Sequence, residues 1–425
     1  MPHPDETPQS QPATDPAAPT VPTRAPGWLN RTVLGIGAAS FLADAGHEMA
    51  TAALPALLAT MGGGAGLLGI IEGVADGVAS FAKLYSGLYS DRLARRKPLA
   101  VLGYVITAIG IGSFALATRA WHIGLGRIVA WFGRGARQPV RNVLMTEATV
   151  PGTRGRAFGF ERAMDSAGAI VGPLLALVFL ATLDVHTVFA LTLVPGLLAA
   201  AAIAFLVREG PHEPRPHLGL WRGMAETPPV FRRFLVGVGL AGLGDFSNTL
   251  LILFATQAWT PEYGAGPAAT MAVAFYAGYN VVYTASCALA GVFADRIAAR
   301  SGSPRGLLAF GYALGVLPAA LLLLPGTSFL KFGAVFALTG LYMGIYETVE
   351  NTTAATYLPA RIRGVGFGML ASVNGLGDLL SSAIVGILWG AASPTLAMLW
   401  VIACSLGGAA VIAATRPPAT GTVAV

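Results

Sequence analysis

The residues best suited to chemistry in this 425-residue chain are ionisable groups set inside long apolar stretches. Within 32–60, Asp44, His47, Glu48 and Thr51 fall in an arc of about 100° on a helix, because residues three, four and seven apart share a face. Within 67–90, Glu72, Asp76 and Lys83 fall within about 40° by the same spacing. The complement lies in 122–145, where Arg127, Arg134, Arg137 and Arg141 share one side within roughly 80°. Glu161, Arg162 and Asp165 follow near the start of 157–181. A charged side chain in hydrocarbon costs several kcal/mol, so such groups face one another or a watered cavity. The chemistry open to them is proton exchange and recognition of a charged solute.

Two readings of these charges stand side by side. Glu72, Lys83, Arg127 and Glu161 read as a buried structural ion network, in which acids neutralise the arginines. Asp44, His47, Arg137 and Arg141 read as functional. Later in the chain, Asp245, Glu347, Glu350 and Asp378 have no Lys or Arg at comparable depth, so they must pair across a cavity, stay protonated or meet substrate. Asn248, Tyr276, Tyr279, Asn280, Tyr283, Tyr342 and Tyr346 offer either an uncharged binding surface or aromatic packing between helices. Other chemistries lack their residues: there is no Gly-x4-Gly-Lys loop, no His-Glu-x-x-His and no nucleophile elbow. His47 beside Glu48 is a weak metal-ligand set, and Cys287 and Cys404 both sit in apolar stretches, so no catalytic residue, metal or cofactor is expected.

The elements that must hold these groups are membrane helices. Hydrophobic residues make up 54% of the chain, charged ones 11%, and mean hydropathy is +0.64, which places it in a bilayer. Spans are predicted at 32–60, 67–90, 99–118, 122–145, 157–181, 188–206, 235–258, 268–290, 307–324, 332–354, 364–389 and 394–413. Lys and Arg crowd the loops of one side and leave only Arg119 and Lys331 on the other, so the net charge of +6 reports topology and not nucleic-acid binding. An even number of spans puts both termini on the basic, cytoplasmic side. Residues 1–28 read as a disordered cytoplasmic tail, 29–207 and 234–415 as two helical halves, 208–233 as the cytoplasmic linker and 416–425 as a second tail.

The second span ends in Gly87-Leu88-Tyr89-Ser90-Asp91-Arg92-Leu93-Ala94-Arg95-Arg96, and Gly291 to Arg300 repeats its order, with Asp295 and Arg296 at the places of Asp91 and Arg92. Arg154 to Phe160 and Arg363 to Met369 are a second echo, and Asp44 corresponds to Asp245. This duplicated pattern resembles the major facilitator superfamily of secondary transporters. The resemblance implies twelve transmembrane helices in two pseudo-symmetric six-helix bundles, an all-α membrane protein whose spans one, four, seven and ten line a central cavity. It assigns Arg134, Arg137, Arg141, Asp245, Asn248, Asn280, Glu347 and Glu350 to the substrate cavity, with Glu350 meeting Arg141 across it. Proton coupling falls to Asp44, with Asp76, His47 and Glu48 around it. Gly87, Asp91, Arg92, Arg95, Arg96, Asp295 and Arg296 stabilise one access state, with Asp91 engaging the start of span eleven. Gly159, Gly168, Gly172 and Pro173 form a helix-packing face whose spacing resembles the antiporter motif of the drug:proton branch, although Ala176-Leu177 replace its final Gly-Gly. Val129 likewise stands where that branch carries an Arg in span four. The expected protein is therefore a monomeric, proton-coupled antiporter of the bacterial inner membrane that exports a small organic compound. A proton symporter importing an organic anion, and a sensor that moves nothing, are the alternatives.

Overall fold

The computed structural model describes residues 27–61, 65–210, 212–215 and 217–416. The expected tails at 1–28 and 416–425 lie almost entirely outside the described residues, as do most of the turn at 61–66, Pro211, Pro216 and the side chain of Glu72. The first half contains α1 (Arg31–Thr60), α2 (Ala65–Arg92), α3 (Lys97–Gly112), α4 (Ala120–Glu147), α5 (Arg154–Leu180), α6 (Val185–Leu191) and α7 (Leu193–Leu206). A short α8 (Leu220–Ala225) follows in the linker. The second half contains α9 (Pro229–Gly242), α10 (Asn248–Tyr263), α11 (Ala265–Ser301), α12 (Arg305–Leu314), α13 (Val316–Leu323), α14 (Phe329–Tyr357), α15 (Arg363–Ile387) and α16 (Pro394–Ala414). Taking α6–α7, α9–α10 and α12–α13 as one span each, the helices make twelve crossings. Among the described residues, eight are long and apolar enough to cross on composition alone, whereas α4, which carries four arginines, is held in place through packing.

Three predicted spans are interrupted, for reasons visible in the chain. A proline cannot donate to the carbonyl four residues back. Pro195 thus leaves Leu191 free where α6 stops, and Pro318 leaves Leu314 free where α12 stops. In α4 the helix continues through Pro139, because Ser86 Oγ of α2 donates to the orphaned Gly135 carbonyl at 3.4 Å. The break between α9 and α10 has no proline. There the chain unwinds over 243–247, and its freed carbonyls are met from neighbours: Trp400 Nε1 donates to Leu243 O at 2.8 Å and Ser381 Oγ to Asp245 O at 2.5 Å.

In the first half α1 packs on α5 and α7, α3 on α4 and α7, and α2 on α4; in the second, α9 packs on α15 and α16, α11 on α10 and α14, and α12 on α14 and α16. The halves meet through α2 with α15 and α5 with α11, two contacts related by the internal repeat. Both depend on absent side chains. A Cβ on Gly87 would run into Gly364 O, and one on Gly159 into Cys287 O. Gly168 and Gly172 serve the other face of α5: a Cβ on Gly172 would lie 2.6 Å from Ala45 O of α1. Large apolar side chains such as Leu177, Phe205 and Leu330 stand exposed around the rim, as a lipid-facing surface requires.

The polar stretch joining the halves is tied down. Lys97 Nζ donates to Val207 O at 3.0 Å, Lys97 N–H to Glu209 at 3.2 Å, Arg215 N–H to Asp91 O at 2.8 Å, and Arg92 Nε to Leu218 O at 2.7 Å. Leu218 then packs with Leu88 of α2 and Val365 of α15. Arg215 grips Glu226 with both nitrogens, at 2.6 and 3.1 Å, and these hydrogen bonds hold the Glu226 carboxyl below its usual range.

Candidate substrate cavity

At the basic end the two halves are shut. The Asp91 carboxylate accepts from the Gly364 and Val365 amides at 2.9 and 2.8 Å, at the exposed N–H groups that open α15. Asp295 repeats this on α5, accepting from the Gly155 and Arg156 amides at 2.7 and 3.1 Å, with Arg156 Nε 3.3 Å away. The basic cluster beside Asp91 does not act as a unit. Arg96 is buried, bridging Ser90 O, Asp91 and Glu147; Arg92 reaches the linker, and Arg95 is exposed. Arg296 is exposed as well, 5.8 Å over Phe293. Deeper in, Asn142 of α4 donates to Asn351 of α14 at 3.0 Å.

Beyond that seal lies a cavity of two chambers. The larger, about 160 Å³, is walled chiefly by the second half. Asp245 reaches it from the unwound 243–247 segment, its carboxylate accepting from the hydroxyls of Tyr342 at 2.8 Å and of Tyr346. Glu350 accepts from Tyr312 and, at 2.7 Å, from Asn374. Glu347 accepts from Tyr283 at 2.6 Å and faces Arg162 of α5 at 3.4 Å, so one second-half acid does pair across the cavity. The smaller chamber, about 50 Å³, belongs to the first half and is lined by Asp44 of α1, Arg134, Arg137 and Arg141 of α4, and Arg162 and Asp165 of α5. Arg134 stands 3.6 Å from Asp44, while Arg141 binds Glu161 at 2.8 Å and Ser40 Oγ at 2.9 Å. Arg162 and Gln138 line both chambers.

Several sequence-based placements need correction. Arg141 and Glu350 do not meet, because each is turned into its own half; the contact across the internal two-fold is made one residue later, by Asn142 and Asn351. Asp76 is exposed and accepts from Trp131 Nε1 at 2.6 Å, apart from both chambers. His47 packs on Trp131 with ring centroids 4.8 Å apart, and its Nε2 is 3.7 Å from Glu48. Arg127 lies 3.7 Å over the same Trp131 ring. Asn248 donates to Tyr279 at 3.1 Å and Asn280 to Tyr276 O at 2.9 Å, both within the second half. Tyr276, Tyr279 and Tyr283 form a stack with centroids 5.2 and 6.0 Å apart. Gln138, Tyr312 and Asn374 were missed: uncharged and tied to no motif, Gln138 and Asn374 carry no signal except helical register with Arg134 and Asp378, and Tyr312 meets Glu350 from a different helix.

A sequence model described as Major Facilitator Superfamily matches residues 36–382. The chain belongs to this superfamily. It is 27% identical over 372 residues to the uncharacterised facilitator-type transporter MJ1317 of Methanocaldococcus jannaschii, covering 85% of this chain and 89% of that one. A multidrug resistance protein, MdtH of Photorhabdus laumondii, is 33% identical over 113 residues, which is 26% of this chain and 28% of the relative. The crystal structure of the Escherichia coli fucose:proton symporter FucP superposes with a TM-score of 0.72 at 13% identity, over 91% of this chain and 98% of that one, a likeness of fold. As a facilitator-superfamily member the chain is a multi-pass membrane transporter of small molecules and not an enzyme.

Proposed function

We propose that this chain is a proton-coupled antiporter that exports a small organic compound by alternating access. The observation carrying this reading is the pair of Asp44 and Arg134, 3.6 Å apart inside a chamber of the central cavity. A carboxylate exchanges protons between two access states when a cation stands beside it in one and withdraws in the other. Arg134 suits that part, since its side chain is 34% exposed and makes one long contact to Asp44, whereas Arg141 is held by Glu161 and Ser40. Export is favoured by the partial match to multidrug resistance protein MdtH and by the glycine string of α5. The rival import of an organic anion is favoured by the arginine-rich chamber alone. The basic loops at the Asp91 end argue for an inner-membrane protein with that end, and both termini, in the cytoplasm, acting as a monomer.

In proteoliposomes, Asp44→Asn should abolish substrate accumulation driven by a pH gradient yet preserve substrate exchange at equal pH. Uphill transport by the Asn variant would remove Asp44 from the coupling role. Absence of any exchange by the wild type, for every candidate substrate, would favour a sensor instead.

A further inference from the structure

The larger chamber is lined by more acids than bases, and the smaller holds one arginine that no carboxylate meets. In the larger, Asp245, Glu347, Glu350 and Asp378 face only Lys83 and Arg162. Among the described residues, the carboxylates of Asp245 and Glu350 are held by tyrosine hydroxyls and an amide, and by no cation. In the smaller chamber Arg134, Arg137, Arg141 and Arg162 face Asp44 and Asp165, with Glu161 beside Arg141 and Arg162. Three of these arginines have a carboxylate within 4 Å. Arg137 does not: it is 4% exposed, rests 4.0 Å over the Tyr104 ring, and its Nη1 has no hydrogen-bond partner. A buried guanidinium with an idle donor is costly unless something fills it. Gln138 and Arg162 border both chambers, so the two adjoin.

We infer that the cavity takes a compact zwitterion, with its ammonium among the carboxylates and tyrosines of the larger chamber and its carboxylate against Arg137 in the smaller. The inference rests on reading the cavity as the transport site. A simple cation would leave Arg137 unmatched, a simple anion would meet the acids, and a neutral polyol would answer neither the acids nor Arg137. A zwitterion answers both, and each of its ends recovers the desolvation of the buried partner it meets. Tyr342 and Tyr346, stacked with centroids 5.7 Å apart, add ring faces suited to an ammonium.

The test is direct binding to the purified full-length protein, read by thermal shift and calorimetry, and needs no transport. The probes are the protein amino acids, each as the free zwitterion, as its methyl ester carrying the cation alone, and as its N-acetyl derivative carrying the anion alone. At least one free amino acid should stabilise the protein, with both of its derivatives binding at least tenfold more weakly. Arg137→Gln should lower that zwitterion to the affinity of its ester while leaving the ester unchanged, and Arg137→Lys should restore most of the loss. Should Arg137→Gln not fold, Glu350→Gln serves, weakening zwitterion and ester alike while sparing the N-acetyl form. Esters or N-acetyl forms that bind as well as the zwitterions, or no stabilisation by any free amino acid, would overturn the inference. Proton-driven export of a singly charged compound by a protein indifferent to zwitterions would sink this inference and leave the antiporter reading standing. Zwitterion binding without proton-driven exchange would do the reverse.

Discussion

Replacing Asp91 with Asn should loosen the basic end without touching the cavity. The wild-type carboxylate is fully buried and accepts two amide hydrogen bonds, at 2.9 and 2.8 Å, across the seam between α2 and α15. Hydrogen bonds to a charged group contribute about 1.5–3 kcal/mol each. Asn keeps one acceptor oxygen but turns an NH2 toward the second amide, which is then left unsatisfied. Arg96 loses its 3.6 Å partner yet retains Glu147 and Ser90 O, so no charge is stranded. The closed arrangement should therefore weaken by about 2–4 kcal/mol, a shift of roughly 30- to 1000-fold in its population relative to the open one. Spin labels on cysteines replacing Arg95 and Arg361, both exposed and on opposite sides of the seam, would report it as a second, longer distance in a background lacking Cys287 and Cys404. The transport rate should fall while ligand affinity stays within about twofold of wild type, a gap that 1.4 kcal/mol per decade keeps well clear of the seal's loss. Asp295→Asn, where Arg156 is partly exposed, should give a smaller effect of about 1–2 kcal/mol. An unchanged distance distribution in Asp91→Asn, or a parallel collapse of affinity, would refute the reasoning.

Two further outcomes can be stated. In a double-mutant cycle on thermal stability, Arg162→Ala and Glu347→Ala should be non-additive by about 1–3 kcal/mol, whereas Arg141→Ala and Glu350→Ala should add, because only the first pair is in contact. Arg215 holds Glu226 below its ordinary range, so the contribution of that pair is complete above the unfolded glutamate value and is lost as pH falls through the depressed one. Hydrogen-exchange protection over residues 215–226, taken relative to the intrinsic rate at each pH, should accordingly fall on acidification to below the ordinary glutamate range, and unchanged protection there would discount the pair.

Much of the fold was legible because bilayer crossing imposes length and apolarity, and because the repeat of Asp91 by Asp295 exposed the duplication. The engagement of α15 by Asp91 followed from the resemblance together with the free amides at a helix start. The cavity was read less well. Pseudo-symmetry correctly put Arg141 and Glu350 at one level, but successive helical residues point about 100° apart, so the pair facing across the axis is Asn142 and Asn351. The unwinding at 243–247 left no proline signal; its stability comes from Trp400 and Ser381, which are remote in sequence. Helical phase put Asp76 within electrostatic reach of Lys83, but it is blind to Trp131, whose indole N–H donates to that carboxylate.

The clasping of residues 207–218 to the turn after α2 gives the connection between halves a mechanical meaning. A slack tether would let the halves rock through any angle their surfaces allow. Here Leu218 sits at the seam itself, fastened to Arg92 on one side and wedged against Val365 on the other, so parting α2 from α15 must pull it from one of them. Were the basic end to open, the segment, so attached, would limit how wide it could swing. Exchanging it between relatives would change stroke length and turnover unless the 91–97 turn were moved with it.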